Sequence, residues 1–495
     1  MPVPMRMSFR STARLFAALA LAGCMAAHGA EPPFDLVIRG GRVIDPQSGL
    51  DGVRNVGIRG NSIAAVSEAP LDGAKVLDAR GLVVAPGFID LHNHAFAPHS
   101  QELRVLDGVT TALELEGGVL EPGKWLAGHT GKSRFNFGAS AGHYDARRVA
   151  IARTLQRTID DDTPPSQFAG EPSTPEQITI VLAELSRALD EGGIGIGYMP
   201  DYMPGTSHLE GLRVFELAAS RNTMVFSHQR YGSMVAPGTW IEAVQELVAD
   251  SAITGAPIHI CHVTSMNLSK TPIVLDMIDG ARARGVDVTT EVYPYTAWST
   301  GLEEPLFDPG WQQRYEIDYG DLTLASTGEV LTAATFEKYR AEQQSVVGQG
   351  IPESAIEAAL TRPGVMIVSD AGDIETGNEH PRGAGTNGRI LGRYVREKQV
   401  LTLRDAIARM SYLPAQRLER VSEDMKRKGR VQEGADADLT VFDPATVTDR
   451  AVFGDSDKPS SGFVHVIIGG VPVVRDSRLV DGTFPGQPVR GNGAR

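Results

Sequence analysis

Cysteine is almost absent from this 495-residue chain, which contains only Cys24 and Cys261. If Cys24 is removed or modified during export, no internal disulfide can form. Low-complexity tracts and runs of like charge are also missing. Basic residues are in the minority, with 47 lysines and arginines against 61 acids and a formal net charge of −14. Such an acidic surface argues against a nucleic acid as partner.

The N-terminus predicts export. Its first 23 residues contain three arginines and no acid, so the rest of the chain carries a charge of −17. The apolar run Leu15–Gly23 is too short for a permanent membrane span. Residues 1–30 are therefore predicted to be a signal peptide that directs the protein to the periplasm.

The end of the signal resembles a bacterial lipobox. In that motif, here Leu21-Ala22-Gly23-Cys24, the cysteine is lipidated after cleavage. This predicts a mature protein that is anchored to the membrane through Cys24. Two alternatives stay open: cleavage near Ala27–Ala30, which gives a soluble periplasmic protein, or a cytoplasmic protein with an apolar N-terminal helix.

Both ends of the chain predict β structure. Strand patterns flank Gly-Gly pairs in Leu36–Ile44 and again in Val464–Val474. Further strand patterns occupy Asn55–Val66, Lys75–Val84 and Asp438–Phe442. We expect residues 31–85 and 426–495 to form one small β-sandwich domain.

Between these ends, residues 86–425 alternate strand-like runs with amphipathic stretches, which indicates parallel βα units. One helix start is well marked, because Ser173-Thr174-Pro175-Glu176 combines a cap residue, an early proline and an acid at capping-box spacing. Eight strands are predicted, the number of a (β/α)8 TIM barrel: Gly87–Leu91, Thr110–Leu115, Phe135–Ala139, Ile194–Tyr198, Thr223–Ser227, Ile258–Cys261, Val286–Val292 and Val365–Ser369.

Polar residues at the ends of these strands indicate a metal centre. His92 and His94 follow the first strand, and residues two apart in an extended chain face the same side. His228, His262 and Asp370 follow later strands. Catalytic residues of such barrels lie where strands end, and imidazole and carboxylate are zinc ligands. These five residues are therefore candidate ligands of one or two Zn²⁺ ions.

An additional metal-holding anion is expected at the second strand. Many two-metal barrels bridge their ions with a carbamylated lysine on the fourth strand, but none of the nine lysines of this chain lies near Ile194–Tyr198. Glu114 and Glu116 end the second strand and share one face. Glu116 lies closer to the carboxyl end of the strand and is the preferred ligand, with Glu114 as the alternative.

Several segments resemble the N-acyl-D-amino-acid deacylases, the D-aminoacylase and D-glutamate deacylase branch of the amidohydrolase superfamily. The similarity extends over essentially the whole mature chain. The segments that carry it are Pro86–His94, Gly108–Thr111, Asn136–His143, Ile258–His262, Tyr293–Ser299, Val368–Asp370, His380–Arg382 and Glu433–Leu439.

The resemblance implies roles for matching positions. In that family a tightly held zinc is bound by a strand-two cysteine and the histidines at 228 and 262, and the His-x-His pair with the aspartate forms a weaker site. Tyr293, Ser299 and Arg382 would hold the α-carboxylate of the substrate, because a guanidinium can grip a carboxylate with two hydrogen bonds. His143 is a further candidate for substrate contact.

The chain also departs from the family pattern. The strand-two cysteine is absent, and Glu116 stands one residue before its place. A lysine two residues after the strand-six histidine is replaced by Thr264, which removes one expected carboxylate contact. The acidic pair that often follows His-x-His is Ala95-Phe96 here.

These residues predict a hydrolase that cleaves the amide bond of an N-acyl-D-amino acid, a small substrate with an amide and a carboxylate. A divalent metal lowers the pKa of bound water toward about 7, and Asp370 would move the proton to the leaving amine. The alternatives are an amidohydrolase acting on a dipeptide or cyclic amide, and a non-catalytic periplasmic binding lipoprotein. The second would predict erosion of the metal-binding set.

Overall fold

Short buried strands alternate with helices through the middle of the chain, as the sequence predicts. The computed structural model describes residues 34–160 and 163–493. The strands of this part are β1 (Phe34–Asp45), β2 (Leu50–Arg59), β3 (Ser62–Ser67), β4 (Gly73–Asp78), β5 (Val83–Pro86), β6 (Phe88–Asp90), β7 (Val109–Val119), β8 (Asn136–Gly142), β9 (Ile196–Tyr198), β10 (Val225–Ser227), β11 (Ile258–Ile260), β12 (Val288–Val292), β13 (Ala297–Gly301), β14 (Leu322–Leu324), β15 (Ser345–Gln349), β16 (Val365–Ile367), β17 (Leu439–Phe442), β18 (Phe463–Ile468), β19 (Val471–Arg475) and β20 (Arg478–Leu479).

The α-helices of the same part are α1 (Pro98–Leu106), α2 (Pro122–His129), α3 (His143–Leu155), α4 (Pro175–Asp190), α5 (His208–Ser220), α6 (Trp240–Thr254), α7 (Val263–Asn267), α8 (Thr271–Arg282), α9 (Trp311–Tyr315), α10 (Ala333–Ala341), α11 (Glu353–Thr361), α12 (Arg382–Arg389), α13 (Leu403–Ile407) and α14 (Leu413–Leu418). Two π-helical segments, Ile390–Glu397 and Ala408–Tyr412, continue α12 and α13. Short 3-10 turns occupy Pro165–Gln167, Leu268–Lys270, Pro305–Phe307, Tyr319–Asp321 and Glu423–Arg427.

The eight predicted barrel strands are all present, and they form one parallel sheet in the order β16-β12-β11-β10-β9-β8-β7-β6. Their side chains are buried on both faces because helices cover the outside and side chains fill the interior. Most of the eight strands are only three residues long, so the predicted runs for these strands extend one or two positions beyond their ends. The predicted (β/α)8 barrel is confirmed.

The ring closes between the first and last strands through the loops that follow them. The Asp370 amide donates to the His92 carbonyl at 2.9 Å, and the His94 amide donates to the Ala371 carbonyl at 2.7 Å. Asp90 strengthens this seam, since its Oδ1 accepts hydrogen bonds from the amides of His92 and Ser369. The closure therefore brings the two ends of the candidate site together.

The strands of both chain ends pair into a separate nine-stranded sheet, in which β17 from the C-terminal part pairs with β5 from the N-terminal part. The Gly469-Gly470 hairpin forms as predicted. The first Gly-Gly pair, Gly40-Gly41, does not form a turn. Instead, β1 continues for 12 residues and the register shifts between Ile38 and Gly41, as at a β-bulge. The division at residues 85 and 426 remains a prediction.

The marked helix begins one residue later than the sequence pattern indicates. Thr174 caps α4 and forms a capping box with Gln177, so Glu176 is not the capping acid. The Ser173 hydroxyl instead donates to the buried carboxylate of Glu210. The position of the cap depends on the backbone conformation. Because serine and threonine are both suitable cap residues, the sequence alone does not distinguish two neighbours of these types.

An inserted three-stranded antiparallel sheet, β13-β15-β14, lies between the seventh and eighth barrel strands and was not predicted. Its apolar side chains form a small core of their own. Residues of β13 line the main cavity of the described chain. This insertion therefore forms part of the wall of the candidate site.

The predicted signal peptide and Cys24 lie outside the described residues, and export and lipidation stay predictions. Among the residues that are described, no helix combines the length and apolarity needed to cross a membrane.

Candidate functional site

A cavity of about 560 Å³ opens at the carboxyl ends of the barrel strands. Five of the six predicted metal ligands contribute to its wall, and His92 lies buried directly behind them. One end of the cavity is aromatic and apolar, with Trp298, Leu306 and Tyr315 among its lining residues. The size and mixed lining suit a small organic substrate.

The first group of donor atoms comes from both sides of the barrel seam. His92 Nε2 lies 3.1 Å from His94 Nε2, 3.0 Å from Glu116 Oε2 and 3.3 Å from Asp370 Oδ1. His94 Nε2 lies 3.7 Å from each of these two carboxylate oxygens. Ligands at about 2.1 Å in tetrahedral geometry are separated by about 3.4 Å, so these donor atoms fit a Zn²⁺-sized cation.

The second group shares Glu116 with the first. Glu116 Oε1 lies 3.1 Å from His228 Nδ1 and 2.7 Å from His262 Nε2, while Oε2 faces the His-x-His pair. All three side chains are buried. One carboxylate thus faces two sets of imidazole nitrogens, which is the arrangement expected of a ligand that bridges two cations.

The structure separates the two glutamates that the sequence left as alternatives. Glu116 faces both histidine groups, whereas Glu114 Oε2 contacts His94 Nδ1 at 2.6 Å and so orients that ring. The register of β7 against β8 shifts between Glu114 and Val119. Such a bulge redirects side chains beyond it, and the simple alternation used for the sequence prediction does not hold past Glu114.

Gly197 makes room for this bulge. A Cβ atom at this position would lie 2.3 Å from the Glu116 carbonyl and 2.8 Å from the Leu115 carbonyl. We expect Gly197→Ala to lower the free energy of unfolding by about 1–3 kcal/mol and to weaken metal binding, because the backbone that carries Glu116 must move. Chemical denaturation and metal titration would measure both effects.

The matched control is Gly128→Ala in α2, where an added Cβ atom meets nothing within 4 Å. It should leave the metal affinity unchanged, and the free energy of unfolding should stay the same or rise slightly. Equal stability and equal metal affinity in the two variants would contradict the role given to Gly197.

Glu291, on β12, is a site residue that the sequence reading missed. It is buried, and its Oε1 lies 2.6 Å from His92 Nδ1 while its Oε2 lies 2.8 Å from His259 Nε2. A carboxylate on the far nitrogen fixes the tautomer and orientation of a metal-binding imidazole. The missed signal was an acid inside a predicted barrel strand, two residues before Tyr293.

The site attracts positive charge. Burial lowers the pKa of His94, but the carboxylates of Glu114 and Glu116 outweigh this and raise it to about 10. In the same way, Glu116 and Asp201 raise the pKa of His228 to about 9 against the effect of burial. Buried carboxylates that stabilise a proton on these rings would equally stabilise a divalent cation.

Two candidate ligands have an unusual backbone. His262 and Asp370 have φ values of 27° and 54°, in the left-handed region that residues other than glycine rarely adopt. His262 lies two residues after the end of β11 and Asp370 three residues after the end of β16, and both side chains line the cavity. Strain of this kind persists where the surrounding structure fixes it and is common at functional sites.

The structure brings together the residues predicted to hold a carboxylate. Arg382 and Tyr293 are buried at the cavity wall, with the guanidinium 4.9 Å from the centre of the tyrosine ring. The Tyr293 hydroxyl has no hydrogen-bond partner among the described residues. Arg382 Nη1 lies 2.7 Å from Asp370 Oδ2. Ser299 also lines the cavity, although its hydroxyl donates to the Val346 carbonyl.

His143 is not brought to the cavity. Its Nε2 lies 2.8 Å from Glu210, which also binds Arg147, so it belongs to a fully buried polar cluster beside the barrel. Cys261 lies among the apolar side chains inside the barrel.

An eight-stranded parallel barrel with two groups of candidate metal-binding atoms and a shared carboxylate at its strand ends is the arrangement expected of a hydrolase of the amidohydrolase type. The comparisons with known proteins agree. The profile of the Amidohydrolase family matches residues 75–133 and 245–474. The chain belongs to this family.

Among curated relatives, the N-acyl-D-glutamate deacylase of Alcaligenes xylosoxydans xylosoxydans is 32% identical over 89% of this chain and 93% of its own. The D-aminoacylase of the same organism is 28% identical over 89% of this chain and 94% of its own. The crystal structure of N-acyl-D-glutamate deacylase from Bordetella bronchiseptica, complexed with zinc and a phosphonate inhibitor that mimics the tetrahedral intermediate, superposes with a TM-score of 0.77. It is 26% identical and covers 92% of this chain and 100% of its own.

Proposed function

We propose that the protein is a zinc-dependent deacylase that hydrolyses the amide bond of N-acyl-D-amino acids. The observation that carries this proposal is the position of Glu116, whose two oxygens face separate histidine groups at the mouth of the barrel. The D-amino-acid part of the proposal is supported by the activities named for the two curated relatives.

The donor atoms fit two metal ions. His92, His94 and Asp370 would hold one, His228 and His262 the other, and Glu116 would belong to both. When bound, a divalent metal supplies a water of lowered pKa and polarises the amide carbonyl. Glu116, one residue before the place of the family cysteine, would supply a carboxylate instead of a thiolate, and zinc accepts this harder ligand.

The residues of the chain itself would position the substrate and move the proton. Arg382 would bind the α-carboxylate, and the unpaired hydroxyl of buried Tyr293 is available to donate a second hydrogen bond to it. Asp370 faces His92 with Oδ1 and Arg382 with Oδ2. Its carboxylate would accept the proton of the attacking water and return it to the leaving amine nitrogen.

Metal content and amine release from matched N-acetyl-D- and N-acetyl-L-amino acids test the proposal. We expect zinc in the purified protein and selective release from the D substrates. Treatment with a chelator should abolish activity, and added zinc should restore it. Hydrolysis of cyclic amides alone would indicate a cyclic-amide hydrolase instead of a deacylase. A folded protein that takes up no zinc would contradict a catalytic role.

A further inference from the structure

The cavity that holds the candidate site is unevenly charged. Arg382 is the only lysine or arginine among its lining residues in the described chain. The acids outside the donor groups are Asp373, Glu379 and Glu304. Two of them are engaged with the backbone: Asp373 accepts from the Ala97 amide, and Glu379 accepts from the amides of residues 375–377.

Glu304 differs from these two acids. Its Oε2 is buried and has no hydrogen-bond partner among the described residues. Burial raises the pKa of Glu304 to about 8, and the nearby carboxylates of Glu303 and Asp201 add to this shift. His228 acts against this shift but does not outweigh it.

The inserted strand β13 (Ala297–Gly301) connects the part of the cavity wall near Arg382 with the part near Glu304. At the start of the strand, the Ala297 carbonyl accepts a hydrogen bond from His380 Nε2, two residues before Arg382. Near its end, Thr300 Oγ1 lies 3.1 Å from the hydroxyl of Tyr202. Glu304 follows three residues after the strand.

Tyr202 fixes this second end relative to the metal centre. Its ring centre lies 4.9 Å from that of His228, a member of the second donor group. The five residues of β13 span roughly 13 Å at about 3.3 Å per residue. An extended two-residue chain of roughly 7 Å, with a hydrogen bond of about 2.9 Å at each end, covers a similar distance.

We propose that the substrate carries a cationic group that pairs with Glu304 while its carboxylate binds Arg382 and its amide lies at the metal centre between them. This inference rests on the proposed function and narrows its substrate class. An acidic side chain in the same place would face Glu304, and the described lining residues include no lysine or second arginine to balance the two charges.

Two parts of a substrate could provide the cation. One is a basic D-amino-acid side chain, as in Nα-acetyl-D-lysine. The other is the α-ammonium group of an aminoacyl substituent, as in glycyl-D-leucine. Each has a neutral match that lacks only the ammonium group: Nα-acetyl-D-norleucine for the first and N-acetyl-D-leucine for the second.

The test compares kcat/KM of the zinc-loaded protein within each pair and adds N-acetyl-D-glutamate. We expect the cationic member of one pair to exceed its neutral match by about tenfold or more, and N-acetyl-D-glutamate to be the poorer substrate. The pair that shows this preference identifies the source of the cation. Glu304→Gln should reduce that ratio by about tenfold or more, because a hydrogen bond between charged groups is lost. Glu342→Gln, an exposed acid on the same insertion, serves as the control.

Hydrolysis of the neutral or acidic substrates without any preference for a cation would overturn this inference and leave the deacylase intact. An unchanged ratio in Glu304→Gln would also overturn it. Failure of the zinc-loaded protein to hydrolyse any of the five substrates would instead contradict the proposed function.

Discussion

Glu116→Gln is expected to reduce activity by more than about 100-fold and to lower the zinc content of the purified protein. The substitution keeps the shape of the side chain but removes the charge that faces His92, His228 and His262. Loss of a partner that only orients a metal ligand already costs about 10–100-fold in metal affinity or activity. A carboxylate that belongs to both donor groups should cost more.

Glu114→Gln is the matched control, since it makes the same change two residues earlier on the same strand. Glu114 contacts His94 Nδ1 and the Gly117 amide, so its loss should stay within the 10–100-fold range. Elemental analysis and steady-state kinetics on both variants separate the two roles. If Glu114→Gln lost zinc while Glu116→Gln retained it, the assignment of the shared ligand would be reversed.

Asp370→Asn is expected to lower kcat by about 10²–10⁴-fold, because an amide cannot accept the proton of the attacking water. His92, His94 and Glu116 remain to hold the first metal, so much of the zinc should stay bound. The informative measurement is kcat at saturating substrate, together with zinc content and a circular dichroism spectrum of the same preparation.

Asp373→Asn provides the comparison for this second variant. Asp373 also lines the cavity, but it contacts the Ala97 amide rather than the donor groups. Its replacement should have the smaller effect on kcat. A fully zinc-loaded Asp370→Asn protein with kcat within tenfold of the unaltered enzyme would show that the proton moves by another route.

The sequence located most of the candidate metal centre because the relevant signals are local. A barrel strand is a short apolar run, and its C-terminal end is marked by the polar residues that follow it. His92 and His94 share a face because they are two residues apart in an extended segment. His228, His262 and Asp370 needed only the strand preceding each of them.

Residues whose roles depend on distant partners could not be assigned in this way. Glu291 contacts His92 across 199 positions of sequence, and nothing near it in the chain indicates this partner. His143 follows a strand end as the ligands do, yet Glu210 and Arg147 hold it in a buried cluster. Position at the end of a barrel strand therefore does not guarantee that a side chain reaches the cavity.

By itself, the sequence determined the barrel, the pairing of both chain ends in β structure and the chemical types of the candidate ligands. Only the tertiary structure decided that Glu116 rather than Glu114 faces both histidine groups, and that Glu304, in the loop after β13, lines the same cavity as Arg382. The physical reason is that periodicity describes a regular strand, whereas a β-bulge changes which side chains face inward. The position of an insertion is likewise set by the surfaces against which it packs.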